Sequence, residues 1–308
     1  MRRFLIDTDT ASDDAVAILM ALRTRDIQVE AITIVAGNVS VKEATRNALH
    51  TVQLCGAEVP VYPGVDRPLV RESSRAYFFH GEDGMGGMSL PPLRLVPEEE
   101  HAVDRIIRTI RGAPGEITLV TLGPLTNVAL AVRKAPDISS LVREVYVMGG
   151  AANTVGNVTP AAEYNIWCDP EAAEIVFHSG MPIMMVGWEH CLGEALLEDA
   201  DREQVRAFGT PYADFTLDSN SHALKACLEW LGLTGLSLPD PVTMAIAMDR
   251  SVCTRSSRHY VDVEVHSELT RGMTVVDEYG VTNKEANVEV CWEIDPARWK
   301  EVLYGTLR

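Results

Sequence analysis

Along the first two thirds of the chain, apolar and polar positions recur in one order. A short run of β-branched and other apolar residues leads to a small or acidic turn, then to a stretch whose apolar positions return every three or four residues. The short runs predict strands over Arg3–Ile6, Val29–Val35, Val59–Tyr62, Ile117–Thr121, Glu144–Met148 and Pro182–Val186. The periodic stretches predict helices over Asp13–Leu22, Val41–Leu54, Ala102–Arg111, Leu125–Lys134, Pro170–Ser179 and Asp240–Met248. Strands alternating with helices build an α/β fold, an open and mostly parallel sheet flanked by helices. After Asp249 the period shortens to two over Tyr260–Val265, Met273–Val276 and Val288–Trp292. That change predicts an antiparallel carboxyl-terminal addition at the sheet edge, closed by a helix over Pro296–Leu307. The Arg71–Pro97 segment, with its run HGEDGMGGM, holds too much Gly and Pro for a regular element and is long for a loop, as lids often are. No linker, repeat or low-complexity stretch divides the chain, so residues 1–308 read as a single domain.

Charge narrows the partners. The chain carries 44 acidic against 27 basic residues, a formal charge of −17, and no Lys/Arg stripe interleaved with aromatics, which disfavours nucleic acid. Small neutral ligands and cations remain. No window approaches the roughly 18 consecutive apolar residues of a membrane span. Asp7 and Asp9 interrupt any signal-like hydrophobic run in the opening segment, so the expected location is cytoplasmic. Six cysteines without a CxxC pair suit free thiols better than a disulfide frame or a zinc site.

The densest chemistry follows the first strand. Asp7, Asp9, Asp13 and Asp14 place four carboxylates within eight residues, at the strand end where open α/β sheets bind ligands. Carboxylates that converge repel one another unless a cation sits among them, and oxygen-only donors select a hard ion, Ca²⁺ or Mg²⁺. Helix capping by Ser12 or Asp13, with Asp14 favourable near the helix start, explains one or two of these residues but not Asp7 and Asp9.

The run DTDTASDDAVAI resembles the amino-terminal signature of the nucleoside hydrolases, the inosine-uridine preferring type and its relatives. Further matching motifs follow in family order: Val35-Ala36-Gly37-Asn38, His80-Gly81-Glu82-Asp83-Gly84, Leu122-Gly123-Pro124-Leu125-Thr126-Asn127, Val147-Met148-Gly149-Gly150, Gly156-Asn157, Ala162-Glu163-Tyr164-Asn165-Ile166 and Asp169-Pro170-Glu171-Ala172-Ala173. The resemblance implies Ca²⁺-dependent hydrolysis of the N-glycosidic bond of ribonucleosides or related ribosides, releasing base and ribose. It implies that Asp9, Asp14 and Asp240, with the backbone carbonyl of Leu122, hold the ion, and that Asp9 is also the general base. Asp13 would meet a ribose hydroxyl, and Asp7 would stand behind the ligands. Asn38, Asn157, Glu163 and Asn165 would surround the sugar, with Met148 packed against it and His80 touching the pocket. The family's habit implies a homodimer or homotetramer.

One departure matters. Many members place a His before the carboxyl-terminal metal-binding Asp, where it can protonate the departing base; this chain has Pro239. Asp240 also reads as a plain helix cap; Trp230, with His222 and Tyr212, is a candidate for the aromatic stack that purine-preferring relatives place around the base, and reads more simply as a helix residue packed on the core. His222 and Tyr212 fall in a stretch without a clear match. Two other readings compete. A Mg²⁺-dependent haloacid-dehalogenase-like phosphatase would need a downstream Lys and a Gly-Asp metal motif, which are not found. A non-catalytic ribose or nucleoside-binding protein would keep the pocket without turnover.

Overall fold

In the computed structural model, which describes residues Met1–Arg308, the first strand, β1 (Arg2–Thr8), lies inside a nine-stranded sheet, third from one edge. Its continuous apolar run is what a strand buried on both faces requires. Phe4 and Ile6 pack on one face and Leu5 on the other. The remaining strands are β2 (Ile27–Ile34), β3 (Val61–Pro63), β4 (Ile117–Thr121), β5 (Glu144–Met148), β6 (Ile183–Val186), β7 (Cys253–Val263), β8 (Thr274–Asp277) and β9 (Val288–Ile294). The spatial order is β3-β2-β1-β4-β5-β6-β9-β7-β8. Strands β1 to β6 pair in parallel, as the alternation of strands and helices predicts.

The carboxyl-terminal addition differs from the expectation in one respect. β9 runs parallel to β6 and antiparallel to β7, so it extends the parallel set; β7 alone runs against the rest of the sheet, and β8, antiparallel to β7, returns to the common direction. Helices Ser12–Leu22, Val41–Leu54 and Pro239–Met248 cover the Phe4 and Ile6 face; Ala102–Gly112, Thr126–Lys134 and Pro170–Phe177 cover the Leu5 face. Local chemistry sets several starts. Ser40 and Glu43 form a reciprocal capping box on the second helix, while Asp169 and Asp295 cap helices that open with Pro170 and Pro296.

Three nine-residue helices were not foreseen in the sequence, Asp199–Ala207, Pro211–Ser219 and Ser221–Glu229, nor were the short Ile138–Leu141 and Tyr164–Cys168. The first buries only Val205, so its apolar period is too faint to register. The Arg71–Pro97 segment is irregular apart from the short turn of helix Tyr77–His80. No helix is long and apolar enough to cross a membrane.

Candidate active site

Helices Ser12–Leu22 and Pro239–Met248 pack side by side, and their first turns bring Asp13, Asp14 and Asp240 together beyond the end of β1. Facing carboxylate oxygens of these three lie within 4.8 Å of one another, and all three residues are buried. The capping alternatives fail on geometry. Leu238 occupies the cap position of the second helix, so Asp240 is its second residue and makes no capping bond. Ala11, not Ser12 or Asp13, occupies the first cap position; Ser12 Oγ instead meets His80 Nδ1 at 2.9 Å. Asp14 alone serves the helix start, accepting the Ala11 N–H at 2.9 Å and the Thr8 hydroxyl at 2.5 Å.

Asp9 sits beside this trio rather than within it, although the sequence grouped it with Asp14 and Asp240 and set Asp13 apart. Two glycines make its place. A Cβ on Gly37 would fall 2.1 Å from Asp9 Oδ2, and one on Gly123 would fall 2.5 Å from Asp9 Oδ1. The Gly37–Asn38 peptide fixes the carboxylate from one side. Its N–H donates to Asp9 Oδ2, while its carbonyl accepts the Tyr164 hydroxyl at 3.2 Å. Asp9 Oδ1 and Asp13 Oδ1 are buried without any hydrogen-bond partner.

Burial and mutual repulsion raise every carboxyl here. Desolvation, then the neighbouring Asp14, pushes Asp9 far above the usual carboxylate range; Asp240 is raised by burial and by Asp14, Asp13 and Asp9. Burial lifts Asp13 to about 6, offset by a hydrogen bond with Asp240, and lifts Asp14 to about 6 with help from Asp13. Asp7 lies below the cleft, outside its lining. Its Oδ1 accepts from Thr33 at 2.6 Å and from Asn127 at 2.8 Å, and burial raises it to about 7.

The remaining expected residues gather around one cleft of about 840 Å³, open mouth included, lined by Asp13, Asn38, His80, Leu122, Met148, Asn157, Glu163, Asn165 and Asp240 among others. Glu163 caps the short Tyr164–Cys168 helix, accepting the N–H groups of Asn165 and Gly150 at 2.9 Å and of Ile166 at 3.2 Å. Even so, burial dominates and lifts it to about 7. The Asn165 amide donates to the Leu122 carbonyl at 2.9 Å and also reaches Met148, which ties β4, β5 and the Glu163 turn together. Asn157 is exposed at the rim, where it accepts the Tyr164 N–H at 3.0 Å. Burial pushes His80 down to about 4, which keeps the imidazole neutral.

Sequence reasoning missed much of the lining: Phe78, Phe79, Tyr164, Trp188, Cys191, Trp230, Leu231 and Ser237. Trp230 is not a core residue. It is 58% exposed and stacks on Phe78 with ring centroids 5.1 Å apart. Its signal was position, since it ends a helix two residues before Gly232 on a polar, solvent-facing side. Pro239 lines the cleft, whereas His222 and Tyr212 do not. Neither Lys nor Arg reaches the lining.

Residues 4–301 match the family profile described as inosine-uridine preferring nucleoside hydrolase. The pyrimidine-specific ribonucleoside hydrolase RihA of Salmonella arizonae is 38% identical over 312 residues, covering 99% of this chain and 97% of its own. RihB of Escherichia coli, also described as pyrimidine-specific, is 39% identical over 294 residues, covering 96% and 93%. Among solved structures, the plant nucleoside hydrolase PpNRh1 superposes with a TM-score of 0.93 at 33% identity. A purine-preferring ribonucleoside hydrolase from Gardnerella vaginalis superposes with a TM-score of 0.92 at 32% identity; both structures cover 99% of this chain and 98% of their own.

Proposed function

The chain belongs to the inosine-uridine preferring nucleoside hydrolase family, a family of metal-dependent ribonucleoside hydrolases, and on that premise we propose that it cleaves the N-glycosidic bond of ribosides with Ca²⁺ as its metal. One observation carries the reading. Four buried carboxylates cluster beyond the end of β1, with Asp13 and Asp240 lining the cleft; two of the cluster's oxygens lack any partner, and the cleft offers polar side chains without a single Lys or Arg.

The donor set fits a hard divalent cation, because every available ligand atom is oxygen and orphaned buried carboxylate oxygens are otherwise costly. Asp9, Asp14, Asp240 and the Leu122 carbonyl would hold the ion, with Asp13 close enough to join them. A bound Ca²⁺ supplies positive charge that acidifies water and draws in neighbouring hydroxyls. The rest falls to the chain. Asp9, held by the Asn38 N–H between two glycines, takes the proton from the attacking water. Asp13, Asn38, Asn157, Glu163 and Asn165 bind and orient the sugar, with Met148 beneath it. The carboxylates stabilise the positive charge that develops on the ring as the glycosidic bond breaks. A lining without Lys or Arg suits a nucleoside rather than a nucleotide. We read residues 1–308 as one domain, since one sheet runs from β3 to β8.

The test is release of ribose from uridine and inosine by the purified protein, with metal analysis alongside. Ribose release that fails after chelation and returns with Ca²⁺ supports the reading. Turnover indifferent to chelation refutes the metal.

A further inference from the structure

The cleft is poor in available proton donors. The Tyr164 hydroxyl donates to the Gly37 carbonyl, and the Trp188 indole N–H to the Val155 carbonyl at 2.8 Å. The Cys191 thiol donates to the Trp188 carbonyl at 2.8 Å, and the Ser237 hydroxyl to Cys191 Sγ at 2.9 Å. Both Glu163 oxygens face backbone N–H groups. His80 meets Ser12 through Nδ1 and keeps only its second ring nitrogen without a protein partner. The residue before Asp240 is a proline, which has no proton to give.

The departing base of uridine or inosine must gain a proton to leave as a neutral molecule. A ribosyl group attached to a pyridinium nitrogen poses no such demand, because the bonding pair returns to a ring that is already cationic and the ring departs neutral. The electrostatics favour the same class. The charged lining residues are carboxylates with no Lys or Arg, the stacked pair Phe78 and Trp230 adds aromatic surface, and the chain carries a net charge of −17. Aromatic faces and a negative field both attract a cation.

We propose that the preferred substrates are cationic N-ribosides, pyridinium ribosides as a chemical class, cleaved without protonation of the leaving group. The inference rests on the ribosyl-hydrolase reading. In the step, the C1′–N bond breaks with its electron pair passing to the ring nitrogen. Water oxygen bonds C1′, and the water's proton passes to Asp9 and on to solvent. The products are ribose, a neutral pyridine and one proton.

Three substrates decide it: a pyridinium riboside, the neutral nitrophenyl riboside, whose leaving group also departs unprotonated, and uridine. With the acid contribution absent, both good leaving groups should exceed uridine in kcat/KM by about 10² or more. The pyridinium compound should also show a KM about two- to fivefold below that of the nitrophenyl compound, an advantage that Trp230→Leu removes. His80→Gln should lower uridine and pyridinium turnover alike, and a loss confined to uridine would make His80 an acid and overturn acid-free departure. Uridine matching either good leaving group overturns acid-free departure. Equal KM values in the wild-type protein overturn the cationic class. Failure to cleave any of the three overturns the hydrolase reading and this proposal with it.

Discussion

Gly37→Ala tests the seat of Asp9 with one methyl group. The added Cβ would lie 2.1 Å from Asp9 Oδ2 and 2.7 Å from Pro124 Cδ, against an ordinary separation of about 3.5 Å between non-bonded heavy atoms. The carboxylate must therefore retreat by roughly 1 Å, since the proline ring closes the other direction. That retreat also breaks the bond from the Asn38 N–H. A misplacement of about 1 Å at a reacting group costs on the order of 10² in rate. The expected result is a kcat near one hundredth of wild type in a ribose-release assay. Gly305→Ala is the control. Gly305 is exposed inside helix Pro296–Leu307, a Cβ there meets nothing within 4 Å, and alanine should stabilise the helix by about 0.5–1 kcal/mol with full activity. If Gly37→Ala kept kcat within threefold of wild type, Asp9 would not need this position, and the assignment of the proton acceptor would fall.

Further expectations follow from other contacts. Chelation should lower the melting temperature, because an ion at a hundredfold excess over its dissociation constant stabilises by about 2.7 kcal/mol; Asp240→Asn should abolish the difference between chelated and Ca²⁺-loaded melts. Tyr164→Phe should lower kcat with KM little changed, and should add nothing in an Asp9→Asn background, since its hydroxyl reaches Asp9 only through the Gly37–Asn38 peptide. Multiplicative losses would show a different route. Arg271 is buried, its Nη2 donating to both Glu171 oxygens at 2.6 and 2.7 Å and its Nη1 to the Val265 carbonyl, so Arg271→Met should cost about 3 kcal/mol in urea unfolding, with part regained in Arg271→Met/Glu171→Leu. Burial raises Glu163 from 4.5 to about 7, so unfolding releases its proton between those values and stability falls as pH rises through them. Glu163→Gln should flatten that part of the melting profile, and an unchanged slope would assign it elsewhere.

The elements most legible in the sequence were those whose burial follows one strong period. β4, β5 and helix Val41–Leu54 fall where the pattern placed them, because their apolar positions are contiguous or evenly spaced and their neighbours are turn formers. The acidic run was legible as chemistry for a different reason: repulsion among Asp7, Asp9, Asp13 and Asp14 has no structural purpose that a helix cap satisfies. What could not be read was the partition among them. How closely Asp13 and Asp14 approach Asp240, with Asp9 beside them, depends on how two helices distant in sequence pack together, which no local pattern encodes. The aromatic lining was hidden similarly. Trp230 and Phe78 belong to segments more than a hundred residues apart, and each alone looks like an apolar residue in search of a core.

The placement of β9 between β6 and β7 has a bearing on biosynthesis. A ribosome delivers β1 to β6 in an order that lets each strand add to a growing edge, but β7 and β8 emerge with no partner on that sheet until β9 arrives. At about 5–20 residues per second, the hairpin waits seconds beside an uncapped β6 edge. The last residues then close the other end of the molecule, where Arg23 at the end of the first helix donates to the carbonyls of Thr306 and Arg308. A message truncated before Val288 therefore yields a chain with two unpaired strand edges, a substrate for chaperones and proteases rather than a smaller enzyme.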